Sequence, residues 1–366
     1  MKRKCKNWWA RQEAPRRRCL VYMLGVAALW ALAALLGRVM NPGSRVLARL
    51  CNSLLARVSR LFPFALSEWA IIAAAVALVA LPAVGAARRG RRGLATGLCR
   101  SLALLLTVGA CFTLFWGVNY NAEPLAAELH LNVHPRSVED LYAVTQKLMD
   151  QANELAARVP RDGEGTCLTA GLDVLTRRIN RQYHVLGETY PLYESAVDRR
   201  PKQALLFGGA MPWVGIAGYY FPFTAEPVIG PTVPTHLAYN IAHELAHSLG
   251  VAPEDEAGFS AYLACITADD PELQYSAAIN GYIYASNALY DQSPELAAAI
   301  SSQAGEALRH DIRALNAYLS QFEGPVKEAG DKINDTYLKA QNQPTGVSSY
   351  GDMVDLLIAY TLQNIE

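Results

Sequence analysis

Three apolar runs near the N-terminus constrain this chain before any motif is considered. Leu20 to Gly37 (LVYMLGVAALWALAALLG) carries no charge over 18 residues, about the least that lets an α-helix cross a hydrocarbon layer roughly 30 Å thick. Leu66 to Ala87 holds only Glu68, close to its start. Ser101 to Val118 is again uncharged, with Arg100 placed to snorkel toward headgroups and Trp116 and Tyr120 at the far end. The pattern predicts three transmembrane helices, at about 20–37, 66–87 and 101–118, and makes residues 1–118 a membrane anchor whose partner is the lipid bilayer. A cleaved signal peptide would account for the first run alone, but no small-residue cleavage site follows it and two more runs do.

The formal net charge of zero conceals a division. Residues 1–118 hold 18 Lys/Arg against two acids, Glu13 and Glu68, whereas residues 119–366 hold 15 Lys/Arg against 31 Asp/Glu. The basic part is also the apolar part, which argues for a membrane and against a nucleic acid as partner. Lys2, Arg3, Lys4, Lys6, Arg11, Arg16, Arg17 and Arg18 precede the first run, and Arg88, Arg89, Arg91 and Arg92 separate the second from the third. Basic loops stay in the cytoplasm, so the expected protein is a multi-pass cell-membrane protein with a cytoplasmic N-terminus and residues 119–366 outside. Between the first two runs, Arg45, Arg49, Asn52, Ser53, Arg57 and Arg60 share one helical face, and Leu47, Leu50, Leu54, Val58 and Leu61 share the opposite one. Such a helix either lies on the bilayer with its arginines toward lipid phosphates or packs on the outer domain.

Residues 119–366 read as one α+β, predominantly helical domain. Ser137 and Asp140 have capping-box spacing ahead of a stripe of Leu141, Val144, Leu148 and Leu155, and a second helix is predicted over 168–183. ALLFG after Pro201 and the following VGIAGYYF are β-rich and Gly-punctuated, so they are expected as strands. Helices resume at 235–249, 254–268, 271–290, 294–322, 325–341 and 350–364. Five of the seven cysteines fall in the anchor; Cys167 and Cys265 could form one bridge, but two buried thiols are the preferred state.

All seven histidines lie in the acidic part, and three residues there carry the chemistry: His243, Glu244 and His247 of THLAYNIAHELAHSL, before Gly250 as a C′ residue. The four-residue spacing sets both imidazoles on one helical face a turn apart, where they can share Zn2+, with Glu244 at the flank as general base. A catalytic zinc wants a third protein ligand and an open position. Pro253 at a helix N1 position is followed by Glu254, Asp255 and Glu256, any of which also suits a helix N-terminus without touching a metal. Glu256 shares a face with Phe259, Ser260 and Leu263 and is the favoured ligand, Asp255 is next, and Glu254 is expected to point away. A metzincin is excluded, since its third histidine would fall at Pro253.

The three spans, GIAGYYFPFT at 215–224, HELAHSLGVAPEDEAGFSAYLAC at 243–265, YS at 275–276 and GVSSYGDMVDLLIAY at 346–360 resemble the bacterial membrane family catalogued as domain of unknown function 3810. That family is similar to gluzincin-type zinc metallopeptidases. The resemblance implies a zincin-like domain with His243 and His247 as ligands, Glu244 as base and Glu256 as the acidic ligand. One departure is visible: the family tends to continue PFT with Gly-Glu-Ala-Asn, where this chain has Ala225-Glu226-Pro227-Val228, and Pro227 lacks the N–H a substrate-pairing strand would use.

The expected activity is therefore zinc-dependent hydrolysis of a peptide or protein at the outer membrane face, with VGIAGYYF either pairing with an extended substrate or already paired internally. Tyr262, Tyr275, Tyr282 and His310 are candidate oxyanion donors that spacing does not separate. A sensor with a structural or inactive zincin domain is the second reading, weakened by cytoplasmic parts too small to signal. A transporter is disfavoured because the spans lack an intramembrane ionisable pair.

Overall fold

The computed structural model describes residues 14–39, 41–134, 137–195, 197–341 and 343–363. Lys2, Arg3, Lys4, Lys6 and Arg11 of the N-terminal basic cluster, together with Cys5 and Glu13, lie outside the described residues, as do the side chains of Arg45 and Leu47. The protein is mainly helical, with a few short strands. It divides into two compact units, one within Met1–Cys51 and Leu66–Ala122, the other within Asn52–Ala65 and Glu123–Glu366. Asn52–Ala65, read from sequence as part of the anchor, thus groups with the large C-terminal unit.

The first unit holds two helices long and apolar enough to cross a membrane, not three separate ones: α1 (Ala14–Val39) and α3 (Leu66–Phe115). The second and third apolar runs are joined in α3, whose 50 residues are interrupted by non-helical backbone at Arg89 (φ −141°) and Gly90 (φ 55°). Beyond that break the chain returns along itself. A Cβ on Gly93 would overlap the Gly85 carbonyl oxygen, one on Gly97 would overlap that of Leu81, and Ser101 Oγ donates to the Leu78 carbonyl at 3.0 Å. Small residues at these contacts let two helical backbones meet without a layer of side chains between them. Trp30 Nε1 donates to Thr113 Oγ1 at 2.8 Å, tying α1 to α3. Outward faces are apolar, with Leu24 68% and Val79 71% exposed, the inverse of a soluble bundle.

In the second unit α2 (Asn41–Ser59) contributes its last turns, followed by α4 (Leu125–Glu128), α5 (Val138–Ala156) and α6 (Leu172–Thr189). Ser137 caps α5 by accepting from the Asp140 N–H at 3.0 Å, and Leu141, Val144, Leu148 and Leu155 are all buried, as the sequence stripe requires. The sheet is smaller than expected: β1 (Lys202–Gln203), β2 (Gly218–Phe221) and β3 (Glu226–Ile229), in the order β1-β3-β2. ALLFG is a turn rather than a strand, and VGIAGYYF is strand only in its last four residues, because a 3₁₀ turn, Met211–Val214, uses the preceding backbone. Central β3 contains Pro227, which is tolerated because β1 pairs only with Val228 and Ile229.

After the sheet come α7 (Pro234–Ser248), α8 (Glu254–Ile266), α9 (Pro271–Gln292), α10 (Pro294–Ser301), α11 (Glu306–Leu319), α12 (Pro325–Ala340) and α13 (Ser349–Gln363). The expected single helix over 294–322 is split, with Gly305 taking the N-cap of α11. Arg161 then grips Asp311 of α11 through two bonds, at 3.0 and 2.8 Å, and Tyr275 donates its hydroxyl to the same carboxylate. Cys167 and Cys265 are both free and buried.

Candidate metal centre

The centre is built on α7, which lies amid α6, α8, α9 and the sheet. Tyr183 donates to the Ala242 carbonyl at 2.8 Å, and Tyr239 donates to that of Gly258 at 3.0 Å, fixing α7 against α6 and α8. Its end follows from Gly250, at φ 95°: the Gly250 N–H reaches the His247 carbonyl and the Val251 N–H reaches that of Ala246. That turn also sets the Val251 carbonyl 2.7 Å from His247 Nδ1. The contact fixes a proton on Nδ1, so that Nε2 is the nitrogen turned toward the cluster.

His243 and His247 stand one turn apart, ring centroids 4.7 Å from each other. The third member is Glu254, whose Oε2 is 3.1 Å from His243 Nε2 and 3.4 Å from His247 Nε2. One potential ligand atom from each residue falls within 4.8 Å of the other two, so the trio could hold a metal ion. Glu256, the expected third ligand, does not join this trio. Helix α8 begins at Glu254, with Pro253 as its N-cap rather than N1, so Glu254 points back across the tight turn to the last turn of α7. Two residues on, about 200° round the helix, Glu256 accepts from the Leu125 N–H at 2.8 Å instead. The face shared with Phe259 and Ser260 is indeed buried, but at Glu256 the neighbour is the start of α4. Asp255 is not in the cluster either.

Burial and neighbouring charge oppose each other at these groups. For His247, burial resists protonation, yet the Glu254 carboxylate outweighs it and raises the imidazole to about 9. Burial would raise Glu254, but His247 and His243 hold its carboxyl well below the usual range. His243 is lowered, chiefly by burial. Glu244 is raised to about 8, again chiefly by burial, and its Oε2 is buried without a hydrogen-bond partner. Two imidazoles and a carboxylate are the donor types of a three-ligand zinc or similar divalent site, and a lone carboxylate oxygen at its flank has no structural bond to explain it.

Sequence reasoning missed Gly218. This residue opens the edge strand β2, and a Cβ there would lie 2.7 Å from Glu244 Oε1. The only signal was the glycine punctuation of AGYYF. Of the candidate oxyanion donors, Tyr275 donates its hydroxyl to Asp311, and Tyr262 packs against Phe259 and Tyr360. His310 lies 3.5 Å from Asp311, and Tyr282 is buried in the core. Tyr284, not singled out from sequence, lies within the electrostatic reach of Glu254 and, through burial and that charge, is raised to about 12.

Fold and cluster together define a mainly helical protein that has an HExxH helix with an adjacent glutamate and also two helices long and apolar enough to cross a membrane. The chain belongs to a family described as protein of unknown function (DUF3810), whose model matches residues 44–358. No curated protein and no solved structure matches it.

Proposed function

We propose that this protein is a membrane-anchored, zinc-dependent metallopeptidase with a zincin-like catalytic unit. The observation that carries the reading is the meeting of His243, His247 and Glu254 beside the buried, unpartnered Oε2 of Glu244. Zinc held by the three residues would supply a Lewis acid and lower the pKa of a water. Glu244 takes the proton of the attacking water and passes it to the departing amine nitrogen. His247 is held in one tautomer by Val251, and Gly218 lets β2 lie close enough to Glu244 that an extended peptide added to that edge strand would bring its carbonyl to the cluster.

Membrane anchoring rests on α1 and α3, with the break at Arg89–Gly90 turning α3 into two crossings and so three in all. With the basic segments cytoplasmic, the catalytic unit is extracytoplasmic and its substrate is a peptide or protein at the outer face. A cysteine placed near Glu366 should react with an impermeant reagent on intact cells; labelling only after lysis would reverse the orientation. The enzymatic claim is tested by metal analysis of the purified full chain together with the extracellular proteome of strains carrying wild type or Glu244→Gln. Cleavage products that vanish with Glu244→Gln, zinc being retained, support it. Identical products and phenotypes for both, with only His243→Ala defective, would make the metal structural and favour a sensor.

A further inference from the structure

We propose that the last turns of α2 and the turn that follows form a membrane-insertion surface of the second unit, seated in the interfacial layer of the bilayer. The proposal rests on the anchoring reading above and adds a second, peripheral attachment to it.

The segment is amphipathic in the inverse sense for a soluble domain. Its buried side is the polar and small one, Asn52, Ala56 and Ser59. Arg199 donates to the Asn52 carbonyl at 3.3 Å and to Ser53 Oγ at 3.4 Å. Lys202, itself paired with Glu226, donates to the carbonyls of Ser59 and Phe64, at 2.8 Å each, and so closes the C-terminal end of α2. What faces outward is apolar: Leu54 63%, Val58 56% and Leu61 80% exposed. A helix packed on a water-soluble domain buries its leucines and exposes its polar side, because that arrangement removes apolar area from water. Here the protein occupies the polar side and leaves the leucines to another apolar medium.

Two features commit that medium to lipid. Arg57 and Arg60 are exposed along the same segment, and 41–65 contains no acidic residue, so apolar side chains flanked by cations meet acyl chains and anionic headgroups together. In addition the chain passes from Ala65 directly into α3, one of the two helices long and apolar enough to cross a membrane, which ties the segment's end to the bilayer surface. The docking has a mechanical consequence within the second unit. Lys202 joins the segment to β3 through Glu226, β3 pairs with β2, and β2 touches Glu244, so a series of short contacts would fix the distance of the candidate centre from the lipid.

The test places spin labels singly at Leu54, Val58, Leu61 and Arg57, and at Val76 of α3 as reference, in the full chain freed of its native cysteines and reconstituted in nanodiscs of phosphatidylcholine and phosphatidylglycerol. Collision with oxygen, which partitions into lipid, is compared with collision with a water-soluble nickel chelate. Labels at Leu54, Val58 and Leu61 should show an oxygen-to-nickel ratio at least ~3-fold above that at Arg57. A ratio no higher than at Arg57 overturns the proposal. So does protection from both reagents, which would mean a protein surface covers the face. If Val76 also collides mainly with nickel, the anchoring reading itself falls; if Val76 is lipid-exposed while Leu54 and Val58 are not, only the docking does.

Discussion

Glu254 Oε2 bridges the space between two imidazoles, 3.1 Å from His243 Nε2 and 3.4 Å from His247 Nε2, although it begins a different helix eleven residues after His243. A carboxylate so placed either neutralises a protonated histidine or shares a cation with both rings, and the two roles respond differently to substitution. Glu254→Gln removes the anionic donor and should weaken zinc binding by at least ~10-fold, as outer or inner ligand losses commonly do. Glu256→Gln keeps an oxygen to accept from Leu125 and should leave zinc affinity unchanged, with stability altered by no more than ~1 kcal/mol. Competition against a chromogenic chelator measures both; equal losses would put Glu256 back among the ligands.

Glu244→Gln preserves size and shape but cannot accept a proton. Zinc content and thermal midpoint should stay near wild type while hydrolysis falls by about 10² or more. Activity within ~3-fold of wild type would remove Glu244 from the base role.

Gly218→Ala tests the close approach of β2 to α7. The added Cβ would stand 2.7 Å from Glu244 Oε1 and 2.9 Å from its Cγ, so either the strand or the carboxylate must move. Displacing a reacting group by about 1 Å costs on the order of 10² in rate, so hydrolysis should drop strongly with zinc binding intact. An active Gly218→Ala would show that Glu244 works from another position.

The buried Lys202–Glu226 pair offers a stability test. Lys202→Met removes the cation paired with buried Glu226 and the donor to two carbonyls, for a cost of ~3–5 kcal/mol. Adding Glu226→Gln to that variant should recover part of the loss, because the buried charge is gone. Thermal unfolding of the detergent-solubilised full chain reads both, and additive losses would argue against coupling.

His236, at the start of α7, is pushed down to about 4 by burial, with Asp311 opposing. A depressed imidazole means that the folded state prefers the neutral ring. Its contribution is therefore complete above the ordinary value of 6.5 and is lost as pH falls from there through about 4. The difference in thermal midpoint between metal-free wild type and metal-free His236→Gln should shrink over that interval; a difference constant from pH 7.5 to pH 4 would show that His236 does not titrate with folding.

Much of this protein is legible one residue at a time. The apolar runs, the Ser137 cap with its Leu141–Leu148 stripe, the HExxH spacing and the Gly250 stop are local, set by helical periodicity and by a glycine's access to positive φ, so a neighbourhood of a dozen residues decides them. What waited for the tertiary structure depends on which element a helix face meets. Burial of Glu256 could be read from its face, but the identity of its neighbour could not: α4, distant in sequence, occupies that side, and the one-residue shift of the α8 start gives Glu254 the contact with His243. The same reason explains why the leucines of α2 face outward. Its polar side is claimed by Arg199 and Lys202, residues far along the chain, and no periodicity in residues 45–62 records where those two cations lie.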